Sequence, residues 1–460
     1  MAVDSIPPPR PPTSGRLHVI LIPGFAGFDA LGQLEYYAGV TPVFREWRRR
    51  HREEAHVVLH YFDNFPTAAV ATRARRLRSY LAKRIARGEF QPGDGLALVG
   101  HSTGGLDIRW LLWQLGRDPD QTLPVDGGLG AGFTVRAKEI LSAVARVVFI
   151  SVPQWGTNIA DWVHDHALAR TALVAELRAV VGASQFPLLN RIEGWLAEET
   201  SSLTGLDLIR ALQDALSEAD ASAREPDATS VADSLESASQ LELWLRYIAW
   251  DFRAINDLTS LPPAGELVSP AHFPPEMRDE EIALWEKSKV RTRSYATLGS
   301  RPFRFDGGRP APRWNLSEPW TYPELTPATD IGGKTDIAYR VCYRACAGGP
   351  FDRGSAGAML AYLNPPDQRR VEQLTNGRGI ELWDNDGVVN TASMLWPDGE
   401  KTVMVPADHM DIVGHYQLME APPDSGRRYY AYDLLKSASG FGRNNFEEVW
   451  NDIFDFCHTP

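Results

Sequence analysis

Leu96-Ala97-Leu98-Val99-Gly100-His101-Ser102-Thr103-Gly104-Gly105-Leu106 runs from an apolar strand through a glycine-flanked serine into a helix. Four consecutive apolar residues, bounded by a turn signal, read as a strand buried on both faces. Leu106 to Leu115 carries a helical pattern directly afterwards. A Gly-x-Ser-x-Gly motif has meaning only in such a setting. Small residues two positions either side of the serine let the backbone pass through a strained strand-to-helix turn. The serine then stands at a helix N-terminus, where the dipole and unpaired N–H groups favour developing negative charge. The plain alternative is an ordinary glycine-rich loop.

Outward from this turn, strands alternate with helices. Leu17 to Ile22 is an apolar run stopped by Pro23-Gly24, and His56 to Phe62 and Arg146 to Ser151 are further strands. Ala71 to Ala86 reads as a helix whose many arginines form a solvated face. Alternation of this kind implies a mainly parallel sheet with helices on both faces. From 160 to 288 the periodicity turns helical. There Leu241, Trp244, Leu245, Ile248, Phe252 and Ile255 form one apolar stripe. Between Ser217 and Gln240 lie six acidic residues, one arginine and no aromatic, which suits a loose connection. Strand character returns at Val290 to Leu298 and Lys401 to Val405, and Tyr429 to Phe456 reads as one or two closing helices. The expected organisation is a Pro-rich tail (1–16), a first core part (17–159), a helical cap or lid (160–288) and a second core part (289–460). The last includes a long irregular excursion, 301–380. A mobile lid and a fixed cap both fit the insertion.

Composition narrows the function. The chain has 460 residues, 43% apolar, enough for a large core. A formal charge of −12 is the wrong balance for a phosphate-backbone binder, so no nucleic-acid partner is expected. Cys342, Cys346 and Cys457 cannot build a disulfide framework. Cys342 and Cys346 read as free thiols, with pairing as the alternative. Met1 to Arg16 lacks the apolar stretch of a signal peptide. The expected location is cytoplasmic, with a mature secreted chain as the alternative. Nothing sets an oligomeric state.

A nucleophilic serine needs a base, an acid and two N–H donors for the oxyanion. Thr103, next after the nucleophile, and Phe25, in the loop Pro23-Gly24-Phe25-Ala26-Gly27-Phe28, are the candidate donors. His409, just past the strand Lys401 to Val405, is the favoured base over His415 and His458. Trp383-Asp384-Asn385-Asp386-Gly387-Val388-Val389 offers two acids. Asp386 is preferred because the turn would present it beside Val388-Val389. Asn-Asp-Gly is also an ordinary turn signature. Phe28 and Trp155 are candidate walls of a substrate pocket.

At these residues the chain resembles the true lipases of bacteria, within the α/β-hydrolase fold. The likeness covers about 17 to 160 and 290 to 415. Ile22 to Asp29 looks like that family's oxyanion loop, Gly100 to Gly105 like its elbow, and Pro153-Gln154-Trp155-Gly156-Thr157 like its Pro-x-x-Gly turn. Leu382 to Met394 resembles the segment with its catalytic aspartate, at Asp386, and Asp408-His409-Met410-Asp411 the segment with its histidine. The resemblance implies ester hydrolysis under a helical lid. Pro23 replaces the family's usual histidine. No room exists for the zinc-binding insertion of some members, so no zinc is expected. Many members ligate calcium through an acid two past the histidine. Asp411 matches that position, with a plain loop acid as the alternative, and no organic cofactor is expected.

The reading is a Ser-His-Asp hydrolase of small-molecule or lipid esters, with Ser102, His409 and Asp386 as triad. The same triad could serve a phospholipid, thioester, lactone or polyester, or transfer the acyl group to an alcohol. An inactive binding module and an interfacial protein that touches lipid transiently are the readings outside hydrolysis.

Overall fold

The computed structural model describes residues 15–165, 254–301 and 380–459, together with Tyr339, Cys342, Tyr343, Cys346 and Ala347. Within those spans it leaves out 26–29, 32–33, 53–55, 66, 126–133, 261, 263–266, 268, 381–382, 398–401, 418, 421–428 and 432. The Pro-rich tail, most of the expected cap and most of the excursion 301–380 lie outside the described residues.

Six strands form one parallel sheet: β1 (Leu17–Ile22), β2 (Val57–Tyr61), β3 (Gly95–His101), β4 (Val144–Ile150), β5 (Arg291–Thr297) and β6 (Val403–Val405). Their order is β6-β5-β4-β3-β1-β2, and every neighbouring pair is parallel. The chain steps from β1 outward to β2 and then crosses back over β1 to β3. The direction of winding therefore reverses between β1 and β3. At such a point the connections leave a crevice at the carboxyl ends of the strands. The loop after β1 and the serine after β3 both sit there.

Parallel strands need crossovers, and the helices supply them. The flanking helices are α1 (Val40–His51), α2 (Val70–Ala86), α3 (Thr103–Arg117), α4 (Ala137–Ala143), α5 (Asn158–Asp165), α6 (Pro275–Ser288) and α7 (Arg443–His458). Side chains of the central strands alternate between two layers, as a period of two requires. Ile20, Ile22, Leu96 and Leu98 pack with Leu77 and Leu81 of α2 and Leu106 and Leu111 of α3. Val19, Leu21, Ala97 and Val99 pack on the other face with Val40, Phe44 and Trp47 of α1 and Trp450 and Phe454 of α7.

Some expectations shift. Helix α1 is absent from the reading above, although Val40, Val43, Phe44 and Trp47 repeat at helical spacing on its buried face. Not all of α2's arginines are solvated, since Arg73 is fully buried. Tyr429–Ala431 pairs as a short strand with Met419–Glu420, so the closing helix starts only at Arg443. Tyr339, Cys342, Tyr343, Cys346 and Ala347 are helical and buried. Their spacing repeats every three to four residues, so this part of the excursion is not irregular. None of the three cysteines forms a disulfide, and all three are buried. No helix among the described residues is long and apolar enough to cross a membrane.

Candidate active site

Ser102 occupies the junction of β3 and α3 with φ 52° and ψ −131°. A non-glycine residue in that region is strained, and the surroundings must hold it there. Its N–H donates to Ile150 O at 2.9 Å. A Cβ on Gly104 would come within 2.5 Å of Ile22 O and 2.7 Å of Pro23 O. A Cβ on Gly100 would reach the Gly104 carbonyl carbon at 2.7 Å. The turn therefore exists only because backbones touch where side chains would stand. Thr103 opens α3, so its N–H has no acceptor within the helix.

The loop after β1 meets the serine directly. A Cβ on Gly24 would lie 2.5 Å from Ser102 Cβ and 2.7 Å from Tyr36 Oη. Gly24 N–H donates to Tyr36 Oη at 2.8 Å. Arg73 reaches Pro23 O with Nη2 at 2.7 Å and Phe65 O with Nη1. Its Nε faces Asp107, at 3.1 and 3.0 Å, and Asn64 Nδ2 donates to the same carboxylate at 3.0 Å. Burial pushes the Asp107 carboxyl up to about 6, against the opposing pull of Arg73. Phe25 is partly buried against the α2–α3 layer. Phe28 lies outside the described residues.

The acid and the histidine come from the far side of the sheet. His409 Nδ1 lies 2.8 Å from Asp386 Oδ2. Asp386 is fully buried, and its carboxylate has a partner for each lobe. Oδ1 accepts from Val388 N–H at 3.0 Å and Val389 N–H at 2.7 Å. Oδ2 also accepts from Thr297 Oγ1 at 2.6 Å. A carboxylate cannot donate, so Thr297 gives its proton to Asp386, and Ser151 Oγ lies 2.9 Å from the same hydroxyl. The same logic fixes His409: Nδ1 carries the proton and Nε2 is the basic nitrogen. No hydrogen bond joins Ser102 Oγ to His409 among the described residues. Such bonds are often long before substrate arrives and tighten in the complex.

The rival candidates have other partners. Asp384 forms a two-pronged ion pair with Arg301, Nε to Oδ1 at 2.7 Å and Nη2 to Oδ2 at 2.5 Å. His415 is buried, and burial pushes its pKa down to about 4. His458 ends α7, its ring 5.5 Å from that of Trp47. Trp155 is half-buried between two core clusters, with the Arg278 guanidinium over its ring at 3.1 Å.

Asp408, Asp411 and Asp433 offer carboxylate oxygens within 4.8 Å of one another. Asp408 accepts from Met410 N–H, Asp411 N–H and Ser437 Oγ, and Asp411 from Asp408 N–H and Ser439 Oγ. Burial raises Asp408 to about 7, and burial together with Asp408 raises Asp411 well above the carboxylate range. An all-oxygen donor set whose charges repel each other fits a hard divalent cation. The sequence offered Asp411 without partners. Asp408, next to His409, and Asp433 complete the group.

No family model matches the sequence, and no curated protein matches it. Solved structures to which the chain is similar include EstA from Clostridium botulinum, at 15% identity and a TM-score of 0.43, over 99% of this chain and 88% of that one. Staphylococcus hyicus lipase matches at 15% and 0.43 over 99% and 98% of the two chains. Lipase 1 from Pelosinus fermentans matches at 16% and 0.39 over 95% and 98%. This chain has an α/β-hydrolase fold. Its own parallel sheet, its strained serine turn and the chain order of Ser102, Asp386 and His409 are that fold's pattern.

Proposed function

We propose that this chain hydrolyses carboxylic esters of apolar acyl groups through an acyl-enzyme on Ser102. The observation that carries the reading is the 2.8 Å contact between His409 Nδ1 and Asp386 Oδ2, with Nε2 left as the base. His409 Nε2 takes the Ser102 proton as Oγ attacks the acyl carbon, then delivers it to the leaving alkoxide. Asp386 stabilises the imidazolium without itself taking the proton. Thr103 N–H and Phe25 N–H are the donors for the oxyanion. Water, activated by the same histidine, then releases the acid. The substrate is a small-molecule or lipid ester.

Asp408, Asp411 and Asp433 would hold a calcium ion. Bound there, it supplies positive charge that stabilises the ionised carboxylates beside His409. The triad chemistry passes through none of these three residues.

Ser102→Ala is expected to fold normally and to lose roughly 10³-fold or more of ester hydrolysis, because a triad acts as a unit. A fluorophosphonate should leave its adduct on Ser102, read by mass spectrometry. An adduct on another serine, or none, refutes the assignment. p-Nitrophenyl esters from acetate to palmitate, with emulsified triglyceride and phospholipid, then define the acyl group.

A further inference from the structure

His101, the residue before the nucleophile, points away from solvent and is fully buried. Its Nδ1 lies 2.6 Å from Tyr36 Oη and its Nε2 3.0 Å from His409 O. A carbonyl oxygen can only accept, so Nε2 carries a proton. Burial, the neighbouring His409 and, more weakly, His415 hold the ring's pKa well below its usual value, so the ring is neutral and Nδ1 is bare. Tyr36 must then donate to Nδ1. Its oxygen accepts in turn from Gly24 N–H at 2.8 Å. The order is unique: Gly24 N–H to Tyr36 Oη, Tyr36 O–H to His101 Nδ1, His101 Nε2–H to His409 O.

Both ends of this chain matter to the proposed chemistry. Gly24 precedes Phe25, whose N–H is the proposed oxyanion donor. His409 is the proposed base, and its backbone is gripped twice. Its N–H donates to Asp386 O at 3.0 Å while its C=O accepts from His101. We infer that Tyr36 and His101 are positioning residues, holding the oxyanion loop and the His409 loop in one hydrogen-bonded chain across the Ser102 turn. The inference rests on the serine-hydrolase reading given above. The His101 ring packs beside that of His409, centroids 4.6 Å apart, and neither Tyr36 nor His101 is assigned a proton-transfer step. They act through Gly24 and His409, where a displacement of about 1 Å can cost on the order of 10²-fold in rate.

Tyr36→Phe deletes one oxygen atom and breaks the chain at its centre. Activity is measured on the full-length chain with p-nitrophenyl butyrate, per Ser102 titrated by fluorophosphonate. The expected result is a fall in kcat of roughly 10²-fold with KM within about threefold, since an oxyanion site acts on the transition state. Inhibition by phenylboronic acid, whose adduct places an oxyanion in the same site, should weaken in step with kcat. His101→Gln keeps one acceptor and one donor on a single side chain and should retain most activity, whereas His101→Leu should behave like Tyr36→Phe. The Tyr36→Phe/His101→Leu double variant should be no slower than the slower single variant, because the chain works as a unit. A lowered Tm with kcat and boronate affinity unchanged in Tyr36→Phe overturns the inference, and so do multiplying losses in the double variant. If His101→Leu does not fold, Tyr36→Phe and His101→Gln decide the matter alone. A wild-type chain that takes no label on Ser102 brings down the hydrolase reading and this inference together. A labelled wild type with unaltered Tyr36→Phe kinetics brings down the inference only.

Discussion

Ser102 stands where backbones touch, with Gly24, Gly100 and Gly104 leaving no space for a Cβ. Asp386 and His409 are held instead by polar side chains and loop carbonyls. Asn385 Nδ2 donates to Tyr343 O at 3.0 Å, Asn390 Nδ2 to Cys346 O at 3.1 Å, and Thr297 fastens the carboxylate from β5. One half of the site is fixed by excluded volume, within the turn and against the loop after β1. The other is fixed by hydrogen bonds that span the sequence. A sterically locked turn fails when an atom is added, whereas a polar scaffold fails when a partner is removed.

The largest test of this contrast lies on the polar side. Asp386→Asn is expected to cost roughly 10² to 10⁴ in kcat, because an amide holds His409 in the wrong tautomer. Asp384→Asn should leave kcat within about tenfold and lower stability instead, since Asp384 is tied to Arg301. Steady-state kinetics beside thermal melts separate the two. If the effects are exchanged, the acid turn works through Asp384 and the assignment falls.

The second test lies under the nucleophile. Arg73 and Asp107 form an ion pair in which both side chains are fully buried, and Arg73 also holds Pro23 O. Arg73→Met strands the Asp107 carboxylate and is expected to destabilise by about 3–5 kcal/mol. Asp107→Asn strands the guanidinium and should cost a similar amount. Arg73→Lys keeps the charge but loses the fork that reaches Phe65 O, Pro23 O and Asp107 at once. Urea unfolding of the three variants measures this. Equal stability of wild type and Arg73→Met would show that packing alone holds the loop after β1.

The same contrast decides what the sequence revealed. The elbow was legible because its constraint is local: glycines two residues either side of a serine, after an apolar strand and before a helix. The parallel sheet was legible because central strands buried on both faces read as unbroken apolar runs. Asp386 and His409 were candidates among several, and the sequence holds no sign of the contact that brings these two together. Arg73 read as one arginine of a solvated face, since its partner carbonyl lies 50 residues away. His101 bonds across 308 residues and passed for the variable position of a motif. Tyr343 and Cys346 fell in a stretch whose Pro and Gly content masked a helical repeat. The stripe from Leu241 to Phe252 and the connection 217–240 lie outside the described residues. Ile255, at the end of the stripe, is buried in the short helix Ala254–Leu258.

The smallest effect concerns the acids beside His409. The native Asp408 carboxyl titrates at about 7, against 3.8 ordinarily, because burial penalises its charge. Between about 4 and 7 the folded chain then holds a proton that the unfolded chain has lost, so this group makes stability fall as pH rises. His60 and His415, pushed down to about 4 from 6.5 by burial, do the opposite. Between about 4 and 6.5 the unfolded chain holds their protons, and stability rises with pH. With metal chelated, Asp408→Asn removes this group's share of the falling arm, to which Asp411 and Asp107 also contribute. The variant's Tm relative to wild type should therefore climb from pH 5 to pH 8. Calcium should replace the proton where the carboxylates ionise. Adding it should raise the wild-type Tm by roughly a few degrees at pH 8 and by less at pH 5, through preferential binding to the folded state. Asp411→Asn should abolish that rise while leaving Ser102 reactive toward fluorophosphonate. A calcium shift that is equal at both pH values, or that survives in Asp411→Asn, places the ion elsewhere and leaves the histidine loop supported by hydrogen bonds alone.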